Sequence, residues 1–313
     1  MELVKIAKDV YACMQEDKGW GWNNAGFVNI GGGLAIDTLY DLPSTEKMIG
    51  LYREVTKKPM KYLVNTHHNG DHTWGNQLFS DSEIIAHKNC GEEMENEIQP
   101  STLEAIRSAG EIPPGLKWFA DDVSQFDFSG IELTLPDRTI DDRLELDLDG
   151  SPCHLISVAP AHCASDLIVH LPEQRVVFGG DVVWDKCTPI GWEGTNKAWM
   201  DALDLIISFE PEVIVPGHGP LCGINEVKEL KLYFDYIYGE ARRYFDEGLS
   251  YFEAAKKIEP GRFADWTQPE RMIINIARAY REFREEPWDA DIDRITLISQ
   301  GAELRAYWES GGK

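Results

Sequence analysis

The sequence predicts an α/β fold followed by a helical region at its C-terminal end. Residue types that favour β-strands, separated by glycines, dominate the first 40 residues. Further along, short apolar segments alternate with helical ones, and three of these segments run through a Pro- or Gly-containing turn into a His or an Asp. After residue 223 the apolar residues take helical spacing to about residue 285. We therefore expect one domain at residues 1–223, with a helical extension at residues 224–313 packed on it.

The individual elements follow from local patterning and turn residues. A first helix is expected at residues 44–57, where Ser44 or Thr45 can cap its N-terminus. Residues 88–120 are polar and partly helical, which indicates an insertion that could act as a lid. A second helix is predicted at residues 197–209. Strands are predicted at residues 4–10, 27–36, 61–65, 131–135, 144–148, 155–158, 175–178 and 213–215.

Composition and charge exclude several classes of function. The chain has 313 residues and a formal net charge of −24. Such a field repels phosphate polymers and anionic membranes, so we expect neither a nucleic acid nor a membrane as a partner. The six cysteines form no C-x-x-C pair, which argues against zinc-finger or thioredoxin chemistry. Lys5, Lys8 and Asp9 interrupt any apolar signal segment, so we expect a cytoplasmic protein.

Imidazole and carboxylate groups follow the apolar segments in a fixed order. The run Thr66-His67-His68-Asn69-Gly70-Asp71-His72 follows one predicted strand, and Pro160-Ala161-His162, Gly180-Asp181 and Pro216-Gly217-His218 follow three others. Any one such His or Asp is more often a hydrogen-bonded core or turn residue. Four of them at strand ends can converge on one point, and these side chains bind zinc, iron or manganese. The pattern therefore predicts a metal site.

This series of motifs resembles the metallo-β-lactamase superfamily, whose members show T-H-x-H-x-D-H, then P-G-H-T or similar, then G-D, then G-H-G. The resemblance covers about residues 1–225. It implies a four-layer αβ/βα sandwich with the metal in a cleft at one edge, between the two sheets.

The resemblance also implies the metal ligands. One site of the family's usual two-metal layout would take His67, position 69 and His162, with Asp181 bridging. The other site would take Asp71, His72, Asp181 and His218. Asn69 stands where the family has a histidine, and an amide oxygen is a weaker zinc ligand than an imidazole. We therefore expect one firmly bound zinc ion and a second site that is weak or empty, with iron or manganese as alternatives. His68 could replace the missing ligand only if the loop turned it inward.

The expected chemistry is hydrolysis. A bound divalent ion lowers the pKa of its water from far above neutral to about 7. Asp71 and Asn69 are the predicted catalytic residues, and Asp71 can orient that water or move its proton. Asp37 and Thr66 are candidates for hydrogen bonds that fix the imidazoles.

The aromatic residues Trp20, Trp22 and Trp192 are predicted to bind the substrate, which we expect to be a small hydrophobic or aromatic molecule. A thioester, lactone, ester or activated carbon–halogen bond would suit this site. The Asn in the ligand loop resembles the polyketide cyclase/thioesterase and hydrolytic dehalogenase branches. A non-enzymatic binding protein with a structural metal remains the alternative. The C-terminal helices could pack on their own domain, cover the cleft or form a homodimer contact, and we favour the first of these.

Overall fold

Two β-sheets form the centre of the molecule. The structure is a computed structural model that describes residues 1–109, 112 and 114–311. Within these residues the first sheet has seven strands in chain order: β1 (Glu2–Ala7), β2 (Val10–Met14), β3 (Ala25–Val28), β4 (Leu34–Ile36), β5 (Tyr62–Val64), β6 (Glu83–His87) and β7 (Arg138–Ile140). The second has five: β8 (Arg143–Leu148), β9 (Ser151–Ser157), β10 (Leu167–Leu171), β11 (Val176–Trp184) and β12 (Val213–His218). Their order across the sheet is β12-β11-β10-β9-β8.

Helices cover both sheets and form the C-terminal region. Those in the described residues are α1 (Leu42–Val55), α2 (Gly70–Thr73), α3 (Cys90–Asn96), α4 (Pro100–Ser108), α5 (Pro114–Val123), α6 (Asn196–Ser208), α7 (Ile224–Asp246), α8 (Tyr251–Lys257), α9 (Met272–Phe283) and α10 (Arg294–Glu309). Helices α3, α4 and α5 occupy most of the predicted insertion. In the part of the chain that is described, no helix combines the length and the apolar character that a membrane crossing requires.

The two sheets pack face to face because alternate residues of each strand point to opposite faces. In β9, Leu155 belongs to the cluster between the sheets, whereas its neighbour Ile156 faces the helices. On the outer face of the first sheet, Met48 and Tyr52 of α1 pack against the strands. Helices α6, α7 and α9 contribute to the cluster on the outer face of the second sheet. The predicted four-layer α/β sandwich with C-terminal helices is therefore confirmed.

Helix α1 begins two residues earlier than predicted, and neither Ser44 nor Thr45 caps it. The cap is Asp41, whose Oδ1 accepts a hydrogen bond from the Ser44 backbone N–H at 2.9 Å. Pro43 lies in the first turn of the helix. A backbone N–H there has no acceptor within the helix, so the N–H that proline lacks costs no helical hydrogen bond. The Thr45 hydroxyl instead donates to the Asp41 carbonyl at 2.9 Å.

Three strand predictions were wrong in detail. Residues 27–36 contain a turn between two antiparallel strands, β3 and β4, rather than one strand. Residues 131–135 form no strand, because neighbouring side chains take their backbone groups: Gln77 accepts from the Glu132 N–H, and Asn76 donates to the Thr134 carbonyl. Residues 4–10 span a hairpin rather than one strand. Its turn passes through Asp9, which has φ of 58°, a left-handed conformation that Asp tolerates better than most residues.

Candidate metal centre

The predicted ligands meet at one edge of the sandwich, between the two sheets. Residues 66–72 follow β5 and include the short helix α2, while His162 lies in the loop after β9. His218 is the last residue of β12. Asp181 lies inside β11 rather than after it, because β11 continues to Trp184 with a shift of register at Gly180. Such a bulge re-aims the following side chain, here toward the sheet edge.

Two glycines allow the strands to approach closely at this point. Gly180 has φ of 50°, and a Cβ there would lie 2.6 Å from the Thr66 hydroxyl oxygen. At Gly217, a Cβ would lie 2.0 Å from Oδ1 of Asp181. Any larger residue at either position would displace Asp181 or the loop that carries His67.

Four predicted ligands form a group that we call the carboxylate-rich site: Asp71, His72, Asp181 and His218. Nε2 of His72 lies 3.1 Å from Oδ1 of Asp181, and Nε2 of His218 lies 3.5 Å from its Oδ2. Oδ2 of Asp71 is 3.3 Å from Nε2 of His218 and 3.8 Å from Nε2 of His72. Each side chain therefore directs a potential ligand atom at the same small volume.

The electrostatics of the carboxylate-rich site follow from its two buried carboxylates. Burial alone would lower the pKa of His72, but the charges of Asp181, Asp71 and Asp37 raise it well above its ordinary value. Burial opposes protonation of His218 as well, yet Asp181 and Asp71 raise its pKa to about 9. In the metal-free protein, the protons on His72 and His218 therefore supply the positive charge that a bound metal ion would otherwise supply.

The second group, which we call the amide site, contains His67, Asn69 and His162. Oδ1 of Asn69 lies 3.1 Å from Nε2 of His67 and 2.8 Å from Nε2 of His162. Both imidazoles face Oδ2 of Asp181 at 3.7 Å. The amide oxygen thus occupies the expected ligand position, and Asp181 lies between the two groups. Burial, reinforced by the charge of His72, holds the pKa of His67 well below its ordinary value.

The orientation of the Asn69 amide depends on Glu97, a residue that the sequence analysis did not identify. The Asn69 Nδ2 donates to Oε1 of Glu97 at 2.6 Å, which leaves Oδ1 to face His67 and His162. Burial raises the pKa of Glu97 to about 8. Glu97 follows helix α3, and no local motif distinguishes it from other acidic residues of the chain.

Each imidazole is held through its other ring nitrogen. Nδ1 of His72 lies 2.9 Å from Oδ2 of Asp37, which also accepts from the Thr66 hydroxyl at 2.7 Å. Nδ1 of His162 is 2.6 Å from the Ile190 carbonyl oxygen, and Nδ1 of His218 is 3.2 Å from that of Trp22. Because such contacts fix both tautomer and ring orientation, the donors that face the centre are preorganised.

The remaining histidines lie apart from the ligand positions. Nδ1 of His68 contacts the hydroxyl of Ser165, and its Nε2 contacts the amide of Asn69 rather than the centre. His154 pairs with Glu145, and the ring of His170 stacks on Phe209.

The donor set fits a divalent transition metal. The triads Asp71, His72, His218 and His67, His72, Asp181 each place ligand atoms within 4.8 Å of one another. Nε2 of His72 and Oδ1 of Asp181 are buried and lie 3.1 Å from each other, and no other described residue hydrogen-bonds to either atom. Buried polar atoms rarely remain unsatisfied, and imidazole and carboxylate are the ligands that zinc takes in hydrolases.

A cleft opens onto the centre, and many of the residues that line it are aromatic. Trp20 and Trp192 line it as predicted, and their rings stack with centroids 6.3 Å apart. The ring of Trp22 instead packs on Phe126. Trp22 is not one of the described residues that line the cleft. The sequence analysis missed further lining residues from distant parts of the chain: Tyr40, Trp74, Phe119, Trp184, Arg271 and Arg294.

Comparisons with known proteins agree with this arrangement. Residues 19–218 match the sequence model of the Metallo-beta-lactamase superfamily. The chain is 25% identical over 265 residues to a linear primary-alkylsulfatase of Pseudomonas sp., an alignment that covers 75% of this chain and 49% of that protein. It is 24% identical over 191 residues to the 2,4-dinitroanisole O-demethylase subunit alpha of Nocardioides sp., covering 60% and 49%.

Structural similarity extends through the C-terminal helices. The sec-alkylsulfatase Pisa1 from Pseudomonas sp. superposes with a TM-score of 0.66 at 17% identity, covering 99% of this chain and 57% of that one. At this identity the likeness concerns the fold alone. The chain spans about half the length of the curated relatives that it matches.

Proposed function

Because the chain belongs to the metallo-β-lactamase superfamily, we propose that it is a metal-dependent hydrolase of a small, hydrophobic or aromatic organic substrate. The observation that carries this proposal is the placement of the carboxylate-rich site beside an aromatic cleft. Asp71, Asp181 and His218 all line that cleft. A structural metal is usually closed off by its ligands, whereas a catalytic one keeps an open position, so ligands that line a cleft favour catalysis.

We assign one zinc ion to the carboxylate-rich site, with iron or manganese as alternatives. Bound there, a divalent ion supplies a Lewis acid and a water nucleophile at neutral pH. The amide site offers two imidazoles and a neutral oxygen that binds zinc more weakly. We therefore propose that it is occupied partly or not at all under ordinary conditions.

The residues around the centre have separate roles in this proposal. Asp71 is partly accessible, with 15% of its side chain exposed, and its Oδ2 faces both His72 and His218. It can therefore accept a proton from the attacking water and deliver it to the leaving group. Asn69 lines the cleft, and its hydrogen bond to Glu97 fixes the direction of its amide oxygen, which can orient the reacting group.

The cleft supports an aromatic or otherwise apolar substrate body. Trp20, Trp192, Ile190 and Phe119 contribute apolar atoms to its wall. We propose an ester, thioester, lactone or activated carbon–heteroatom bond as the reacting group. The alkylsulfatase and O-demethylase relatives, by their names, act at an alkyl sulfate and at an aryl methyl ether.

The direct test is a hydrolysis screen with controlled metal content. Protein depleted of metal with EDTA and reloaded with zinc would be assayed against aryl esters, thioesters, lactones, alkyl sulfates and halogenated or nitrated aryl ethers. We expect turnover of at least one class that disappears on depletion and returns with zinc. Turnover unaffected by depletion would contradict metal dependence. Metal binding without turnover of any class would favour the alternative, a binding protein with a structural metal.

A further inference from the structure

Two arginines from the C-terminal region line the cleft, and they differ in how their charges are balanced. Arg294, at the start of α10, lies over the ring of Trp192 at 5.0 Å from its centroid. Its Nη2 donates to Oε1 of Glu193 at 2.8 Å, and its Nη1 lies 3.5 Å from Oε1 of Glu97. Glu193 therefore provides a hydrogen-bonded counter-ion for this charge.

Arg271 has no such partner. It precedes α9, is only 1% exposed, and lies over the ring of Trp20 at 4.6 Å from its centroid. Its Nε and Nη2 atoms make no hydrogen bond with any described residue, and the same holds for Nε1 of Trp20. Burying a guanidinium without a counter-ion is costly, so an arginine kept in this state indicates a missing partner.

Two neighbouring carboxylates, Asp122 and Glu270, lie within electrostatic range of Arg271, but neither accepts a hydrogen bond from its Nε or Nη2. Asp122 is close enough for Arg271 to affect its pKa, but its Oδ2 accepts hydrogen bonds from the Trp20 backbone and from Gln268. Glu270 lies nearest to a different cation, with its Oε1 3.6 Å from Nη1 of Arg305. The unpartnered atoms of Arg271, Nε and Nη2, form the edge of the guanidinium that can donate two parallel hydrogen bonds to one carboxylate.

We propose that Arg271 and Trp20 form an anion subsite, which selects substrates with an apolar or aromatic body and an oxyanion, a carboxylate above all, remote from the bond that is hydrolysed. The aromatic body packs against Trp20 and Trp192, and the carboxylate takes the place opposite Arg271 after a rotamer change of this flexible side chain. The inference rests on the proposed function, since it takes the cleft beside the metal centre as the substrate site.

The subsite is consistent with the acidity of the chain. A net charge of −24 disfavours anions at long range, but exposed charges are screened beyond about 8–10 Å in physiological salt. A guanidinium inside the cleft therefore acts at short range on molecules that fit it. Anions too large for the cleft, such as nucleic acids, gain nothing from it.

Binding of two matched ligands that are not hydrolysed tests this inference independently of turnover. The probes are 3-phenylpropanoate and its neutral amide, 3-phenylpropanamide, measured by calorimetry on zinc-loaded protein and again after EDTA treatment. We expect wild-type protein to bind the carboxylate at least about tenfold more tightly than the amide, since hydrogen bonds to charged groups are the stronger ones. The preference should survive EDTA, disappear in Arg271→Met and persist in part in Arg271→Lys.

Two controls separate a subsite from a structural arginine. Arg262→Met removes an exposed arginine that pairs with Glu229, and should leave the preference unchanged. Because no described residue hydrogen-bonds to Nε or Nη2 of Arg271, Arg271→Met should leave the melting temperature of the ligand-free protein equal or higher. A preference that vanishes with EDTA and persists in Arg271→Met would place the carboxylate on the metal and overturn the inference. Equal binding of the two probes by wild-type protein would also overturn it. Failure to hydrolyse any ester would count against the proposed function but not against the subsite.

Discussion

The carboxylate-rich site and the amide site are the two halves of the metal centre. They share Asp181 but differ in charge. The carboxylate-rich site adds Asp71 to two imidazoles, whereas the amide site adds only the neutral oxygen of Asn69. The amide site is as well assembled as the carboxylate-rich site, because Oδ1 of Asn69 lies within 3.1 Å of both imidazoles that it faces. A preorganised site can therefore bind a metal ion weakly when one of its ligands is a neutral amide oxygen instead of an imidazole. The predictions below test this contrast.

The largest expected effect is a difference in kcat/KM between variants that each lack one histidine, taken from the two different halves. His218→Ala removes a ligand of the carboxylate-rich site and should lower kcat/KM at least about a thousandfold, or roughly 4 kcal/mol of transition-state stabilisation. His67→Ala removes a ligand of the amide site, and a loss of no more than about tenfold is expected. Equal losses in the two variants, measured with the best substrate at a fixed zinc concentration, would mean that the halves act as one unit.

A second effect concerns the pH dependence of stability in the metal-free protein. The folded-state pKa of His218 is raised from its ordinary value of about 6.5 to about 9, so its protonated form stabilises the fold below about pH 6.5. That contribution, up to about 3 kcal/mol, is lost as the pH rises through 9. Melting temperatures should therefore fall between pH 7 and pH 10 without metal.

Zinc-loaded protein should lack this alkaline decline, because the ion replaces the protons. His218→Asn should show a flatter profile without metal, and His154→Gln, which changes a histidine of β9 that pairs with Glu145, should behave as wild type. A metal-free wild-type profile that stays level to pH 10 would be incompatible with protonated histidines in the carboxylate-rich site.

A third change should strengthen the weaker half. Asn69→His restores an imidazole to the amide site, and we expect its zinc affinity to rise roughly a hundredfold because imidazole is the better zinc ligand. Titration with zinc after EDTA treatment should then show two firm sites. Asn69→Gln keeps an amide and serves as the control. Unchanged stoichiometry in Asn69→His would show that something other than the ligand type weakens this half.

The smallest expected effect comes from residues that hold the metal ligand His72 in position. Asp37→Asn weakens the contact with Nδ1 of His72 and should lower zinc affinity about 10- to 100-fold without abolishing binding. Thr66→Val removes one hydrogen bond to Asp37 and should cost less. Competition with a chromogenic chelator measures both. A larger loss in Thr66→Val than in Asp37→Asn would reverse the proposed order of importance.

The sequence predicts the metal centre better than it predicts the cleft. Residues 66–72 are contiguous, and His162, Asp181 and His218 each belong to a short strand-end motif, so their convergence follows from the fold. The α/β class follows from the alternation of strands and helices, whereas the four-layer sandwich was expected from the resemblance of the motifs to a known family. The position of the α1 cap could not, because Asp41, Ser44 and Thr45 are all good capping residues and only the local geometry chooses between them.

The wall of the cleft depends on contacts between distant segments. Arg294 contacts Glu97 across 197 positions of the chain, and neither residue lies in a motif. Tryptophans are recognisable in sequence, but the direction of each ring is decided by packing. Trp20 therefore lines the cleft, whereas Trp22 packs on Phe126 and meets the centre only through its carbonyl oxygen.

Metal content per chain tests the central claim most directly. Wild-type protein purified without added metal and the Asp181→Ala variant would be compared by elemental analysis, with circular dichroism to verify that the variant folds. We predict about one firmly bound zinc or other transition-metal ion in wild-type protein and almost none in the folded variant. Two equally firm ions would contradict the difference between the halves, and no metal under any loading condition would contradict the assignment of the centre itself.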